Sequence, residues 1–160
     1  MHDTLLKEIS KFLATGAYSG YLPKMPGTWG SFWGAFLFLL FPQHTYFGAT
    51  FLITVIGIIA TREFLKTTSD SDPSCVVIDE IIGVGLVFSF VLDVLHLGYG
   101  WCALGFFLFR VFDMIKVGIV KIIDDYQTPC LALRSLFIQL DDIVAALQAV
   151  LVVWAASSFF

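Results

Sequence analysis

Five apolar segments, at roughly residues 29–41, 46–60, 79–97, 99–117 and 139–158, take up most of this chain, with only short polar stretches between them. A water-soluble domain of 160 residues has too small an interior to hide that much apolar surface. Composition agrees, with 58% hydrophobic and 14% charged residues and a mean hydropathy of +0.87. The expected fold class is all-α: a polytopic membrane helical bundle in one domain spanning 1–160. The last three segments reach the ~20 residues that cross a bilayer comfortably. The first two are shorter and suit a tilted hairpin, a re-entrant pair, or helices shielded by the others.

Ahead of these segments, "MHDTLLKEISKFLATG" sets Leu5, Leu6, Ile9, Phe12 and Leu13 at helical spacing, with Lys7, Glu8 and Lys11 opposite. That predicts an N-terminal amphipathic helix over 1–20, either lying on a membrane surface or packed against the rest of the protein. It lacks the continuous apolar stretch of a signal peptide. The net charge of −4 and the lack of an aromatic and basic patch give no reason to expect nucleic acid. Cys75, Cys102 and Cys130 are odd in number and widely spaced, as buried or reduced thiols would be.

The basic residues sort by loop. Lys7, Lys11 and Lys24 precede the first segment, Arg62 and Lys66 follow the second, and Lys116, Lys121 and Arg134 surround the loop after the fourth. Neither "PQHT" nor "LGYG" contains a Lys or Arg. By the positive-inside rule the charged loops are cytoplasmic, and five crossings would leave the C-terminus outside. This gathers Asp72, Asp79, Glu80, Asp113, Lys116, Asp141, Asp142 and the "PKMPGTWGS" loop at one leaflet.

"VVIDEIIGVGL" and "IQLDDIVAALQ" echo each other: an apolar lead-in, two adjacent carboxylates, then a small-residue apolar stretch. Neighbouring helical residues point about 100° apart, so one acid of each pair can face a shared site. Two such pairs supply the oxygen ligands that a hard divalent cation prefers. They also suit helix N-termini, where the dipole favours acids by about 0.3–1 kcal/mol. "FRVFDMIK" places Arg110, Asp113 and Lys116 at successive i, i+3 steps, with Arg110 about 10 Å deeper than a boundary near Lys116. Arg110 at that depth needs either a phosphate, which its fork binds well, or Asp113. "PGTWGS" brings Gly27, Thr28, Gly30 and Ser31 to a helix start, where free N–H groups hold phosphate; the same residues also mark ordinary entry loops. "DSDPS" is not the DxDx[TV] nucleophile loop, because no strand precedes it and its fifth residue is Ser74. His44 and His96 fall in or beside the outer loops and His2 is terminal, which disfavours histidine-based phosphatase chemistry. Asp93 reads as a solvated boundary residue.

Taken together, "GYLPKMPGTWGS", "DPSCVVIDEIIG", "FRVFDMIK" and "LDDIVAA" resemble, in content and order, the bacterial phosphatidylglycerophosphatase A family, over about Gly20 to Ala146. The matching positions are Pro26, Gly27, Thr28, Gly30, Ser31, Asp72, Asp79, Glu80, Gly83, Arg110, Asp113, Lys116, Asp141 and Asp142. The resemblance implies a Mg²⁺-dependent inner-membrane phosphatase that converts phosphatidylglycerophosphate to phosphatidylglycerol at the cytoplasmic face. It implies metal ligation by Asp79, Glu80, Asp141 and Asp142, and phosphate binding by Gly27, Thr28, Ser31, Arg110 and Lys116. Asp72 or Asp113 would orient water, take its proton, or serve as a nucleophile. Two departures stand out. "KVGIV" replaces a K-P-x-P-I pattern, and "TPCLALRSLFIQ" replaces a glycine-rich approach to the last acidic pair, which suggests Arg134 as a substitute phosphate contact. The rival classes are a small ion-binding or transport protein using the same carboxylates, and a membrane scaffold.

Overall fold

The computed structural model describes residues 2–116, 118–126 and 128–159, without the side chains of His2 and Asp3. Val117, which begins the altered stretch after Lys116, therefore lies outside the described residues. The described residues form seven α-helices: α1 (His2–Ala14), α2 (Pro26–Leu40), α3 (Tyr46–Leu65), α4 (Ile78–Ser89), α5 (Tyr99–Ile115), α6 (Ile119–Asp124) and α7 (Leu131–Ser157). Among the described residues there is no strand.

The core is α4. Its "IDEIIGVGLVFS" is apolar on nearly every side after the first turn, and a helix apolar all round belongs in an interior. Ile78, Ile81, Ile82, Val84, Val87 and Phe88 are all buried. Helices α2, α3, α5 and α7 pack around it, α7 also touches α3, α5 and α6, and α1 lies on α3. Gly83 permits close contact with α5, since a Cβ there would fall 2.4 Å from the Phe109 ring. The start of α4 is tied to the end of α1 by the Val77 N–H donating to the Ala14 carbonyl (3.0 Å).

The usual polarity of a globular protein is partly inverted. Phe51 (73% exposed), Phe107 (64%) and Leu151 (61%) face outward, while Asp113, Gln139, Asp141 and Asp142 are buried. Two helical stretches, Gln43–Leu65 and Leu131–Ser157, are long and apolar enough to cross a membrane.

Several boundaries differ from the sequence expectation. The second segment continues through Arg62 and Glu63 to Leu65, reaching 20 residues instead of ending near 60. Charged residues at a helix end keep their backbone hydrogen bonds while their side chains reach solvent, so the fall in hydropathy did not end the helix. The third segment is interrupted: α4 stops at Ser89, a π-helical turn spans Phe90–Val94, and His96 takes a positive φ before α5. The fifth begins eight residues early, at Leu131, so "LALRSLFIQ" is helix rather than loop.

Candidate active site

Asp79 and Glu80 occupy the first turn of α4, where the backbone dipole favours carboxylates. No side chain caps this helix; instead Asp79 Oδ1 accepts the Glu80 N–H at 3.0 Å. Asp141 and Asp142 have no such support. They sit well inside α7, ten and eleven residues after its start at Leu131, beyond the reach of a terminal dipole. Their burial (6% and 3% exposed) has to be offset by partners instead.

Packing of α4 against α5 and α7 brings both acidic pairs to one cavity of about 550 Å³. Asp113, Arg110 and Lys116 reach it from the end of α5, Asp72 from the loop before α4, and Pro26 and Gly27 from the start of α2. Arg110 Nη1 donates to Asp113 Oδ2 at 2.7 Å and lies 4.0 Å from Glu80 Oε1. The two readings of Arg110 thus meet in one place: it is paired with Asp113, and it also faces the cavity. Lys116 lies 3.6 Å from Asp113 Oδ1 and 3.0 Å from Asp124 Oδ1, and donates to Asp141 Oδ2. It takes the left-handed conformation (φ 51°), uncommon for a non-glycine residue, as the chain leaves α5.

Gly27 matters for what it lacks. A Cβ there would fall 2.1 Å from Glu80 Oε1 and 3.1 Å from Arg110 Nη2. The other entry-loop candidates are placed differently. Ser31 is fully buried and its hydroxyl donates to the Gly27 carbonyl at 2.9 Å; Thr28 is half-buried, and neither lines the cavity. As placed, α2 already begins at Pro26, and the Ser31 hydroxyl is spent on its own helix backbone. Arg134 does line the cavity, but Nε and Nη2 both donate to the Thr128 carbonyl, at 3.2 and 2.8 Å.

"DSDPS" forms a compact turn in which Asp70 Oδ1 accepts the Asp72 N–H at 3.1 Å. Asp72 is exposed at the rim, yet the surrounding protein raises its carboxyl pKa above the ordinary range. Desolvation is the main cause; Asp124 and Asp70 add to it, and Lys116 opposes it.

Sequence reasoning missed Asp124 and Asp125. "IIDDY" repeats the adjacent-carboxylate pattern of the other two pairs, and that signal could have found them. Both line the cavity, and Asp124 pairs with Lys116. Buried Gln139 and Thr61 were missed as well; neither side chain has a hydrogen-bond partner for the atoms that lie buried.

The residues present suit a divalent cation. Oxygens from Asp79, Glu80 and Asp142 lie within 4.8 Å of one another, as do oxygens from Asp113, Asp141 and Asp142. Glu80 Oε2, Asp141 Oδ1 and Asp142 Oδ2 are buried without hydrogen-bond partners among the described residues. A donor set made only of oxygens is what a hard cation takes.

Comparison with known proteins follows the same lines. A Haemophilus influenzae protein named phosphatidylglycerophosphatase A is 33% identical over 162 residues, covering 94% of this chain and 93% of that protein. An Escherichia coli protein of the same name is 31% identical over 138 residues, covering 83% and 74%. A Bacteroides thetaiotaomicron protein, provisionally named a phosphatidylinositol-3-phosphatase, is 30% identical over 152 residues, covering 90% and 91%. No solved structure matches significantly. The sequence model described as "Phosphatidylglycerophosphatase A" matches residues 12–157, and the chain belongs to that family of phosphatases.

Proposed function

We propose that this protein is a Mg²⁺-dependent phosphatase that hydrolyses the phosphomonoester of phosphatidylglycerophosphate, giving phosphatidylglycerol and phosphate. It works as a single domain, multi-pass in a bacterial inner membrane, with its cavity open to the cytoplasm. One observation carries the reading: carboxylates from α4, α5 and α7 converge with unpartnered oxygens in a cavity that Arg110 also enters. The named relatives and the apolar exterior support it.

Asp79, Glu80, Asp141 and Asp142 would hold the cation. Mg²⁺, when bound, supplies Lewis-acid polarisation of phosphoryl oxygens and eases ionisation of water. The protein groups supply the rest. Arg110 offers a planar, charge-assisted fork to the phosphate, and the bare backbone of Gly27 leaves room for that phosphate beside Glu80. Lys116 brings one positive charge within 4.0 Å of Asp113, Asp124 and Asp141 and partly offsets their charge. Since Asp113 already faces two cations, Asp72 is the better-placed base. It takes a proton from water as the water oxygen bonds to phosphorus. The phosphorus–oxygen bond to glycerol breaks, and that oxygen leaves with a proton from solvent.

Membrane placement follows from the same physics. On α1, Leu5 (61% exposed), Leu6, Ile9 and Phe12 are uncovered by protein, whereas Ser10 and Ala14 are buried. An interfacial role for α1 thus fits better than packing of its apolar face. The bilayer would present the lipid beside the cavity, so the tails need no deep pocket.

The test uses purified protein in detergent with phosphatidylglycerophosphate, measuring released phosphate. Release should require Mg²⁺, stop with EDTA, and be lost in Asp142→Asn while membrane insertion persists. Folded protein that releases no phosphate with Mg²⁺ present would overturn the reading.

A further inference from the structure

The two converging sets of carboxylates overlap at one residue. Asp142 belongs to the set with Asp79 and Glu80 and also to the set with Asp113 and Asp141. Residues with unpartnered oxygens occur in both sets: Glu80 (Oε2) in the first, Asp141 (Oδ1) in the second, and Asp142 (Oδ2) in each. Asp141 and Asp142 are each more than nine-tenths buried, so water does little to offset those oxygens.

Charge points the same way. Eight carboxylates line the cavity (Asp72, Asp79, Glu80, Asp113, Asp124, Asp125, Asp141 and Asp142) against three cations, Arg110, Lys116 and Arg134. A phosphomonoester adds further negative charge. One divalent cation offsets less than half of the excess of five, before any substrate arrives. Arg110 and Lys116 face the two oxygens of Asp113, and Lys116 engages Asp141 through Oδ2. The open oxygens of the second set are therefore Asp141 Oδ1 and Asp142 Oδ2, and a cation there would share Asp113 with its basic neighbours.

We infer that Asp142 is a ligand shared by two divalent cations, one completed by Asp79 and Glu80, the other by Asp113 and Asp141. A carboxylate has two oxygens and can serve both positions at once. Paired metal sites are a recurrent solution to phosphoryl transfer, because they stabilise the attacking and leaving oxygens together. The inference rests on the metal-dependent reading above.

Mn²⁺ is the probe, added to the full chain in detergent. Equilibrium dialysis gives the number bound, and low-temperature electron paramagnetic resonance reports whether the ions are exchange-coupled. Wild type should bind two Mn²⁺ per chain with a coupled spectrum. Asp79→Asn and Asp141→Asn should each keep one uncoupled ion, and Asp142→Asn should weaken both sites at least tenfold. Glu80→Gln provides a second variant for the first set, and unchanged elution and melting behaviour establish that each variant is folded. One Mn²⁺ per wild-type chain, two uncoupled ions, or loss of both in Asp79→Asn would overturn the inference. If phosphate is still released in that case, the phosphatase reading stands, with Lys116 serving as the second charge. Absence of both Mn²⁺ binding and phosphate release would remove that reading too.

Discussion

Asp72 shows how a side chain can be costly for stability and useful for chemistry. Desolvation by the surrounding protein raises its pKa, so the ionised form is less favourable in the folded chain than in the unfolded one. The stability it contributes is therefore present below the ordinary carboxylate range and is lost as pH rises through the raised value. Asp72→Asn should leave the melting temperature at pH 7 unchanged or higher. If Asp72 is the base, the same variant lowers kcat by about 10²- to 10⁴-fold. At saturating Mg²⁺ the wild-type rate should fall on acidification through a pKa above the usual ~3.9. An Asp72→Asn enzyme that retains that acid limb would shift the role to Asp113. Arg110 is read by a different measurement. Arg110→Lys keeps a charge facing Asp113 but loses the planar fork, so KM should rise about tenfold or more with a smaller change in kcat. An unchanged KM would remove Arg110 from phosphate binding.

Among the elements, α4 and α7 make the site, and the sequence disclosed them unequally. The start of α4 was legible, because an acidic pair directly before a long apolar run marks a helix entry. The start of α7 was not. Arg134 and Gln139 lowered local hydropathy across "LALRSLFIQ", and polarity was read as loop although leucine and phenylalanine kept helical spacing. Asp141 and Asp142 thus looked like helix-opening acids, which a dipole would explain. Their place inside α7 removes that explanation and leaves the partners across the cavity. Which side chains meet was legible only as a set of types on one side of a membrane. That Thr28 and Ser31 lie off the cavity lining was not legible, because a Gly-rich loop and the first turn of a helix share the same composition. Gly83 gives an element-scale test. Its replacement by Ala places a methyl 2.4 Å from the Phe109 ring, next to Arg110 in sequence. Pushing α5 away should cost about 1–3 kcal/mol of stability and lower activity together, seen as a reduced melting temperature and phosphate release. A Gly83→Ala protein with both intact would show that the α4–α5 spacing is not critical.

At the scale of the whole molecule, charge is gathered inside and grease is turned outward. Carboxylates packed this closely repel one another, and in the reading proposed above bound cations offset that repulsion. Mg²⁺ at 100 times its Kd should raise stability by about 2.7 kcal/mol per site, read as a shift in melting temperature that EDTA reverses. No shift with Mg²⁺ would argue that the cluster is already neutralised by protons.

The cavity described above, rimmed by charge and open to the phosphate, has a consequence for how a reaction cycle ends. If the site works as proposed, what it grips is the headgroup's terminal phosphate, and hydrolysis cuts that handle from the lipid. The membrane then draws the neutral glycerol end away, while the inorganic anion stays with Arg110 until it is exchanged. Inorganic phosphate should therefore inhibit competitively, and phosphatidylglycerol at equal concentration should scarcely inhibit; equal inhibition by both would mean that the lipid body is held as well. On that reading, clearing the site means exchanging the small anion, not extracting the large lipid.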